Sequence, residues 1–261
     1  MELILPPAKY DLVESWVFFG ANPVPVLTIF AVYFILLKVG PMLMANRQPF
    51  KLTTTIRIYN IVQILGCAYF SSLSHLKFNY SPLKSIWKCE TNDMYISSHE
   101  DVVEIYHLNW LFYWLRLIEL LETMFFIMRK KQEQISFLHV YHHISTLFFL
   151  YIAYRYSAEV MDMFIIILNN DVHILMYIYY FLSSFRQLQP SLSKLKPIMT
   201  TIQIVQLVLI FGQCIAVRAC GISNGIFSIA IFNVAVLLVF FGNFYYQSYM
   251  KKKAIKEGKS E

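Results

Sequence analysis

His139-Val140-Tyr141-His142-His143-Ile144-Ser145-Thr146-Leu147-Phe148-Phe149-Leu150-Tyr151-Ile152-Ala153-Tyr154 runs three histidines straight into an apolar stretch of membrane type. The chain has seven histidines, so the crowding of three into five positions needs a reason. On a helix, the spacing i, i+3, i+4 turns all three rings to one face. Ionisable side chains inside a membrane are costly, and a cluster there marks a functional site by default. Packing or a simple helix contact accounts for a lone histidine better than for three together.

Composition extends this reading outward. Of 261 residues, 57% are hydrophobic and 17% aromatic, whereas a soluble domain is about 45–50% apolar. The expected fold class is all-α, a polytopic membrane protein with seven transmembrane helices. Seven apolar segments reach spanning length: Pro25–Ala45, Ile56–His75, Leu108–Met128, Ile135–Tyr154, Val160–Phe185, Ile198–Val217 and Ile226–Met250. Residues 1–261 are read as one domain, with a larger outside loop at about 76–107 and a basic tail at 251–261. Met1 to Pro7 lacks the basic region and apolar core of a secretory leader. The first spanning helix is therefore expected to be the anchor.

The net charge is +6, and its distribution sets the orientation. With the N-terminus outside, the inside segments hold Arg47, Lys51, Arg57, Arg129, Lys130, Lys131, Arg186, Lys194, Lys196 and the five lysines from Lys251 on. The outside segments hold only Lys9, Lys77, Lys84, Lys88, Arg155 and Arg218. The bias favours an outside N-terminus and an inside C-terminus. Cys89 and Cys220 then share the outside, where an oxidising lumen permits a disulfide between them. The sequon Asn79-Tyr80-Ser81 lies on that side too, with Pro82 behind it to disfavour modification. No nucleic-acid partner is expected.

Further polar residues fall within the apolar segments. The third carries Arg116, Glu119, Glu122 and Thr123 at one-turn spacings. Arg116 with Glu119 reads as readily as an intramembrane ion pair as it does as chemistry. The fifth carries Asn169, Asp171, His173, Tyr177 and Tyr180, the sixth Gln203, Gln206 and Gln213, and the seventh Asn243, Tyr246 and Tyr249. Tyrosines at a membrane interface and glutamines between helices are ordinary alternatives. At 1.5 Å of rise per residue, the polar groups lie roughly 7–20 Å from the inside ends of their helices. A polar chamber open to the inside, with an apolar cavity beyond, suits a long acyl chain.

Four stretches then resemble one family, the very-long-chain fatty acid elongases. Gln134 to His143 looks like its histidine box. His173-Ile174-Leu175-Met176-Tyr177-Ile178-Tyr179-Tyr180 looks like its HxxMYxYY motif, and Thr200-Thr201-Ile202-Gln203-Ile204-Val205-Gln206 its TxxQxxQ motif. Arg116 to Thr123 stands where the family shows KxxExxDT, with Arg for Lys and Glu for Asp, and Asp171 stands where an uncharged residue is usual. The resemblance implies seven helices enclosing an acyl tunnel in the endoplasmic reticulum membrane, N-terminus lumenal and C-terminus cytosolic. It implies condensation of a long-chain acyl-CoA with malonyl-CoA, giving a 3-ketoacyl-CoA two carbons longer, CO2 and CoA.

By the same resemblance His142 is the nucleophile that forms an acyl-imidazole. His139, His143 and His173 are expected in hydrogen-bonding roles, and Glu119 or Glu122 as the carboxylate that orients an imidazole. Arg116, Asn169, Tyr177, Tyr180, Gln203, Gln206, Asn243, Tyr246, Lys130 and Lys194 are the expected substrate-binding set, the lysines facing CoA phosphates. No metal and no cofactor beyond the two CoA substrates is expected. Membrane lipid, the reductases and dehydratase of an elongation cycle and a second copy of the chain are the partners allowed for. The rival reading is a metal-dependent membrane desaturase or hydroxylase, but dinuclear iron sites of that kind need about eight histidines from several boxes. A seven-helix receptor fails on Asn243-Phe244-Tyr245, which is no NPxxY-type ending.

Overall fold

The computed structural model describes residues 13–14, 16–18, 20, 22–78, 87, 98–157, 160–220 and 225–251. Cys89, Asn79 and the tail beyond Lys251 lie outside the described residues, as does most of the expected loop 76–107. Every regular element among the described residues is helical: α1 (Val24–Met44), α2 (Thr53–Phe78), α3 (His99–Ile118), α4 (Leu121–Met128), α5 (Phe137–Ile152), α6 (Val160–Ser183), the short α7 (Gln189–Ser193), α8 (Lys196–Ala219) and α9 (Gly225–Tyr245). Two single turns of wider, π-type winding follow α5 and α9, at Ala153–Ser157 and Tyr246–Met250.

Among the described residues, four helices are long and apolar enough to cross a membrane: Val24–Met44, Asp162–Ser183, Lys196–Ala219 and Ser228–Met250. The other three expected spans differ in instructive ways. The second, α2, carries buried Asn60, Gln63, Ser71 and Ser74, while Ile58, Ile61, Val62 and Leu65 face outward. Its average hydropathy is lowered by the side that never meets lipid. The third is two helices rather than one. Bonds from Leu120 to Leu117, Glu122 to Glu119 and Thr123 to Leu120 tighten the chain to i→i−3 winding between α3 and α4. The fourth, α5, is 16 residues long before the π turn begins.

The expected loop at 76–107 also needs correction at both ends. Helix α2 runs on to Phe78, and α3 starts at His99 rather than at Leu108. The cause of the early start is a capping box. The Ser98 hydroxyl accepts from the Asp101 amide and the Asp101 carboxylate accepts from the Ser98 amide. Glu100 and Asp101 then sit in the first turn, where the helix dipole favours acids.

The chain forms two compact units, Met1–Ile56 with Glu90–Asp162, and Arg57–Cys89 with Met163–Glu261. In the first, α1 packs along α4. Its Gly40 lets the backbones approach, since a Cβ there would stand 3.0 Å from Ile127 Cγ2. Lys130 ends α4 in the left-handed region (φ 56°), with its own amide bonded to Ile127 and the Lys131 amide to Phe126. That is a Schellman-type stop made without glycine. Trp16 and Phe18, in the turn that ends at Gly20, pack on the middle of α3. Gly20 is required in that turn because a Cβ would lie 2.5 Å from the Glu14 carbonyl oxygen. Trp16 rests on His107, and Phe18 on Tyr113 and Trp114.

In the second unit, α8 and α9 are packed neighbours. Arg57 on α2 holds the end of α6, donating to the Ser184 hydroxyl (2.8 Å) and carbonyl (3.1 Å), with its guanidinium 4.0 Å over the Phe185 ring. Both units bury polar residues and show large apolar ones. Arg116, Glu119, Arg155, Asn170 and Gln213 are buried, whereas Ile35, Met42, Phe232 and Val239 are exposed. That inversion is expected of helices whose outer faces meet lipid.

Candidate active site

The histidine box owes its position to one serine. Ser136 caps α5, its hydroxyl accepting from the His139 amide at 3.1 Å. This starts the helix so that His139 lies in its first turn. His139 and His143, at i and i+4, face each other with ring centroids 4.4 Å apart. His143 is buried, and its Nε2 lies 3.9 Å from the Glu122 carboxylate of α4. His139 Nε2 lies 2.8 Å from the Thr123 hydroxyl, which lies 2.8 Å from the Tyr33 hydroxyl of α1. Helices α1, α4 and α5 thus meet at one polar point in an apolar setting.

His142 stands apart from that point. Its ring is 5.8 Å from that of His143, and it does not belong to the group formed by Glu122, His139 and His143. Those three each bring one ligand atom within 4.8 Å of the others, near enough for a cation to be held between them. The box is therefore two environments on one helix. His139 and His143 are tied to α4, and His142 is turned to other surroundings.

Arg116 and Glu119 sit one turn before this point and are both buried. They form an ion pair with each other, and the guanidinium also lies 4.5 Å over the Phe112 ring. The sequence left Arg116 open between substrate contact and ion pair. The structure places it in the ion pair, 1% exposed. Of the two carboxylates, Glu122 faces the box and Glu119 serves Arg116. Lys130 is exposed, and its ammonium donates to the Ala45 carbonyl at 2.9 Å, where α1 ends.

In the second unit, His173 is buried beside Tyr177, ring centroids 5.9 Å apart. The Tyr177 hydroxyl lies 3.3 Å from that of Tyr59, which accepts from Gln63 at 3.2 Å. Gln203 donates to the Met176 sulfur at 3.3 Å, and Gln206 is buried. Asp171 accepts from Ser71, and Asn170 donates to the Cys67 carbonyl. Asn169 is half-buried, while Tyr180, Asn243, Tyr246 and Lys194 are exposed. Thr200 and Tyr249 are linked through their hydroxyls at 3.2 Å. Gln213 accepts from the Trp87 amide at 2.7 Å and so holds a loop. The Cys67 and Cys214 side chains are buried and not in a disulfide.

Tyr33, Tyr59 and Gln63 were not singled out from the sequence. A lone tyrosine in an apolar segment, and an Asn60-to-Gln63 polar face in another, were the available signals.

The half-buried Glu122 carboxylate and the buried Thr123 hydroxyl set against two histidines mark a polar site inside a helical membrane protein. Comparison with known proteins narrows this. The sequence model of the ELO: GNS1/SUR4 family matches residues 18–257. Very long chain fatty acid elongase F of Drosophila melanogaster is 34% identical over 269 residues, covering 97% of this chain and 98% of the relative. Very long chain fatty acid elongase 5 of Tachysurus fulvidraco is 32% identical, covering 92% and 80%. Very long chain fatty acid elongase 1 of Homo sapiens is 32% identical, covering 86% and 80%. The chain belongs to the ELO family.

Proposed function

We propose that this chain is the condensing enzyme of fatty acid elongation, an acyltransferase of the 3-oxoacyl-CoA synthase class. It joins a long-chain acyl-CoA to malonyl-CoA. The observation that carries the reading is the meeting of His139 and His143 with Glu122 and Thr123, which leaves His142 outside the group. A neutral imidazole is a competent nucleophile, and a covalent intermediate splits one hard step into two.

His142 attacks the thioester carbonyl carbon, the C–S bond breaks, and CoA leaves as thiolate while the acyl group stays on the ring nitrogen. Malonyl-CoA then loses CO2, and the electron pair left on its α-carbon attacks the acyl carbon. The C–N bond to His142 breaks, and the 3-ketoacyl-CoA leaves two carbons longer. Developing charge on the enolate oxygen needs donors aimed at it. His139 is proposed for this. Glu122 is proposed to keep His143 oriented. Lys130 is proposed for CoA phosphates. For Lys130 this means sharing an ammonium that already serves Ala45.

Seven spans are part of the proposal. The outward side of α2 shows Ile58, Ile61, Val62 and Leu65, and the stretch Leu108–Met128 and helix α5 carry their charged and histidine side chains buried or half-buried. We place the protein in the endoplasmic reticulum membrane on the strength of its family, and its N-terminus in the lumen on the strength of the Lys/Arg bias. A disulfide between Cys89 and Cys220 belongs to the same topology.

The test is two-carbon extension by membranes containing this chain, given radiolabelled malonyl-CoA and a panel of acyl-CoAs. Extension lost in His142→Ala supports the reading. No extension of any acyl-CoA by well-expressed protein would sink it.

A further inference from the structure

We propose that Tyr33, Thr123 and His139 form a one-way hydrogen-bond relay that holds His139 neutral with its proton on Nδ1, making Tyr33 and Thr123 positioning residues of the histidine box. The proposal rests on the condensing-enzyme reading for its activity test, and has a second test that does not.

The geometry is two bonds of 2.8 Å in series, from the Tyr33 hydroxyl to Thr123 Oγ1 and from Thr123 Oγ1 to His139 Nε2. Tyr33 is 2% exposed and Thr123 0%, so both hydroxyls are shut off from bulk solvent. Each hydroxyl has one proton to give. Among the described residues, the Tyr33 hydroxyl has Thr123 Oγ1 as its hydrogen-bond partner. If Tyr33 accepted from Thr123, its own proton would be buried without an acceptor, at a cost of about 1–3 kcal/mol. Tyr33 therefore donates.

Thr123, having accepted, has its own proton left to give. Its other partner is His139 Nε2, so that nitrogen must present a lone pair. A histidine with a lone pair on Nε2 is neutral and carries its proton on Nδ1. The direction of the whole chain follows from burial of its first hydroxyl.

The consequence is a division of labour within the box. His139 spends its Nε2 lone pair on Thr123 and offers Nδ1–H as a fixed donor, suited to an oxygen that gains charge. His143 is paired with the Glu122 carboxylate across 3.9 Å. His142, the nucleophile of the proposed function, lies outside the group of Glu122, His139 and His143. Helix α1, which brings Tyr33 and no other part of the site, thereby enters the chemistry through a residue that touches no substrate.

The activity test compares kcat and KM in Thr123→Val, Thr123→Ser, Tyr33→Phe and the Tyr33→Phe/Thr123→Val double variant. Unfolding midpoints confirm that each is folded. Valine keeps the shape and removes the relay, so kcat should fall about thirtyfold or more with KM within about twofold. Serine should restore kcat to within about threefold of the parent. Tyr33→Phe should cost less than Thr123→Val and add nothing to it, because a relay broken once cannot be broken again. Equal losses in valine and serine variants, or additive losses in the double variant, would overturn the relay. So would Thr123→Val with parental kcat beside an inactive His142→Ala, an outcome that leaves the condensing-enzyme reading intact.

The second test is nitrogen-15 NMR of histidine-labelled protein in nanodiscs, with the His139 signals assigned by their loss in His139→Gln. The relay requires a protonated Nδ1 and an unprotonated Nε2, and a changed pattern in Thr123→Val. Protonation on Nε2 in the parent protein would overturn the proposal whether or not the protein extends an acyl chain.

Discussion

Arg155 grips Glu14 from 141 positions away, both terminal guanidinium nitrogens lying 3.1 Å from its two carboxylate oxygens. The π turn after α5 carries Arg155 inward until its side chain is 0% exposed, and its Nε donates to the Tyr156 hydroxyl at 2.9 Å. Glu14 is supplied by the 13–20 turn, which packs on α3 through Trp16 and Phe18. One ion pair thus fastens the turn that carries Glu14 to the end of the histidine-box helix.

Removing one partner of a buried pair leaves the other charge uncompensated. Glu14 is half-buried and part of its charge is solvated, so Arg155→Ala and Glu14→Ala should each destabilise the protein by about 1–3 kcal/mol. Arg155→Met with Glu14→Leu should cost less than either single change, because two apolar groups leave no orphan. Thermal unfolding midpoints in detergent check this. Equal losses in the single and double variants would show that the pair is not what holds the turn.

Arg116 leads to a similar expectation with a different readout. Its ion pair with Glu119 and its place over Phe112 make it structural. Arg116→Ala should cost about 3–5 kcal/mol of stability. Arg116→Lys keeps the charge but loses the fork that a guanidinium offers, so it should fall between. Neither should raise KM for malonyl-CoA or acyl-CoA in protein that remains folded. A KM increase without a stability loss would return Arg116 to the substrate.

These two arginines show what the sequence could and could not convey. Apolar segments and clustered histidines mark a membrane enzyme because burial and charge leave strong compositional traces. The break between α3 and α4 leaves none, since Glu119-Leu120-Leu121 contains no proline or glycine to announce it. Helical spacing placed three histidines on one face. The structure parts them, because which ring joins Glu122 depends on how α4 meets α5. Lys130 at a left-handed position was equally hidden, for glycine is the residue that signals such a stop. Tyr33 became visible only once α1 was seen against α4.

Gly40 tests that contact. A Cβ at this position would stand 3.0 and 3.1 Å from two carbons of Ile127, a buried residue with little room to move. Gly40→Ala gains about 1 kcal/mol of helix propensity and loses about 1–3 kcal/mol to crowding. The unfolding midpoint should therefore move little. Activity should fall about fivefold, because α1 retreats and carries Tyr33 away from Thr123. Ile127→Ala beside Gly40→Ala removes both carbons and should restore it. A midpoint and an activity that fall together would mean a general loss of packing.

The trio Glu122, His139 and His143 is the feature a metal-dependent reading would seize on. Three ligands make a catalytic zinc site in other settings. Here His139 already meets the Thr123 hydroxyl through Nε2. The expected outcome is purified protein with well under about 0.1 equivalents of transition metal and extension that survives a strong chelator. Stoichiometric iron or zinc, or activity lost to the chelator and regained with metal, would reinstate the rival.

Glu122 offers the sharpest separation of charge from reach. Its carboxylate faces His143 Nε2 at 3.9 Å, beyond a direct hydrogen bond, so its pull on the ring is electrostatic or carried by a water. Glu122→Gln keeps the shape and removes the charge, and should lower kcat by about a hundredfold with KM little changed. Glu122→Asp keeps the charge but shortens the arm, and should retain activity within about tenfold, as the aspartate usual at this motif position implies. If glutamine serves as well as glutamate, the carboxylate does not orient His143. The polar point between α4 and α5 would then act through the Thr123 side alone.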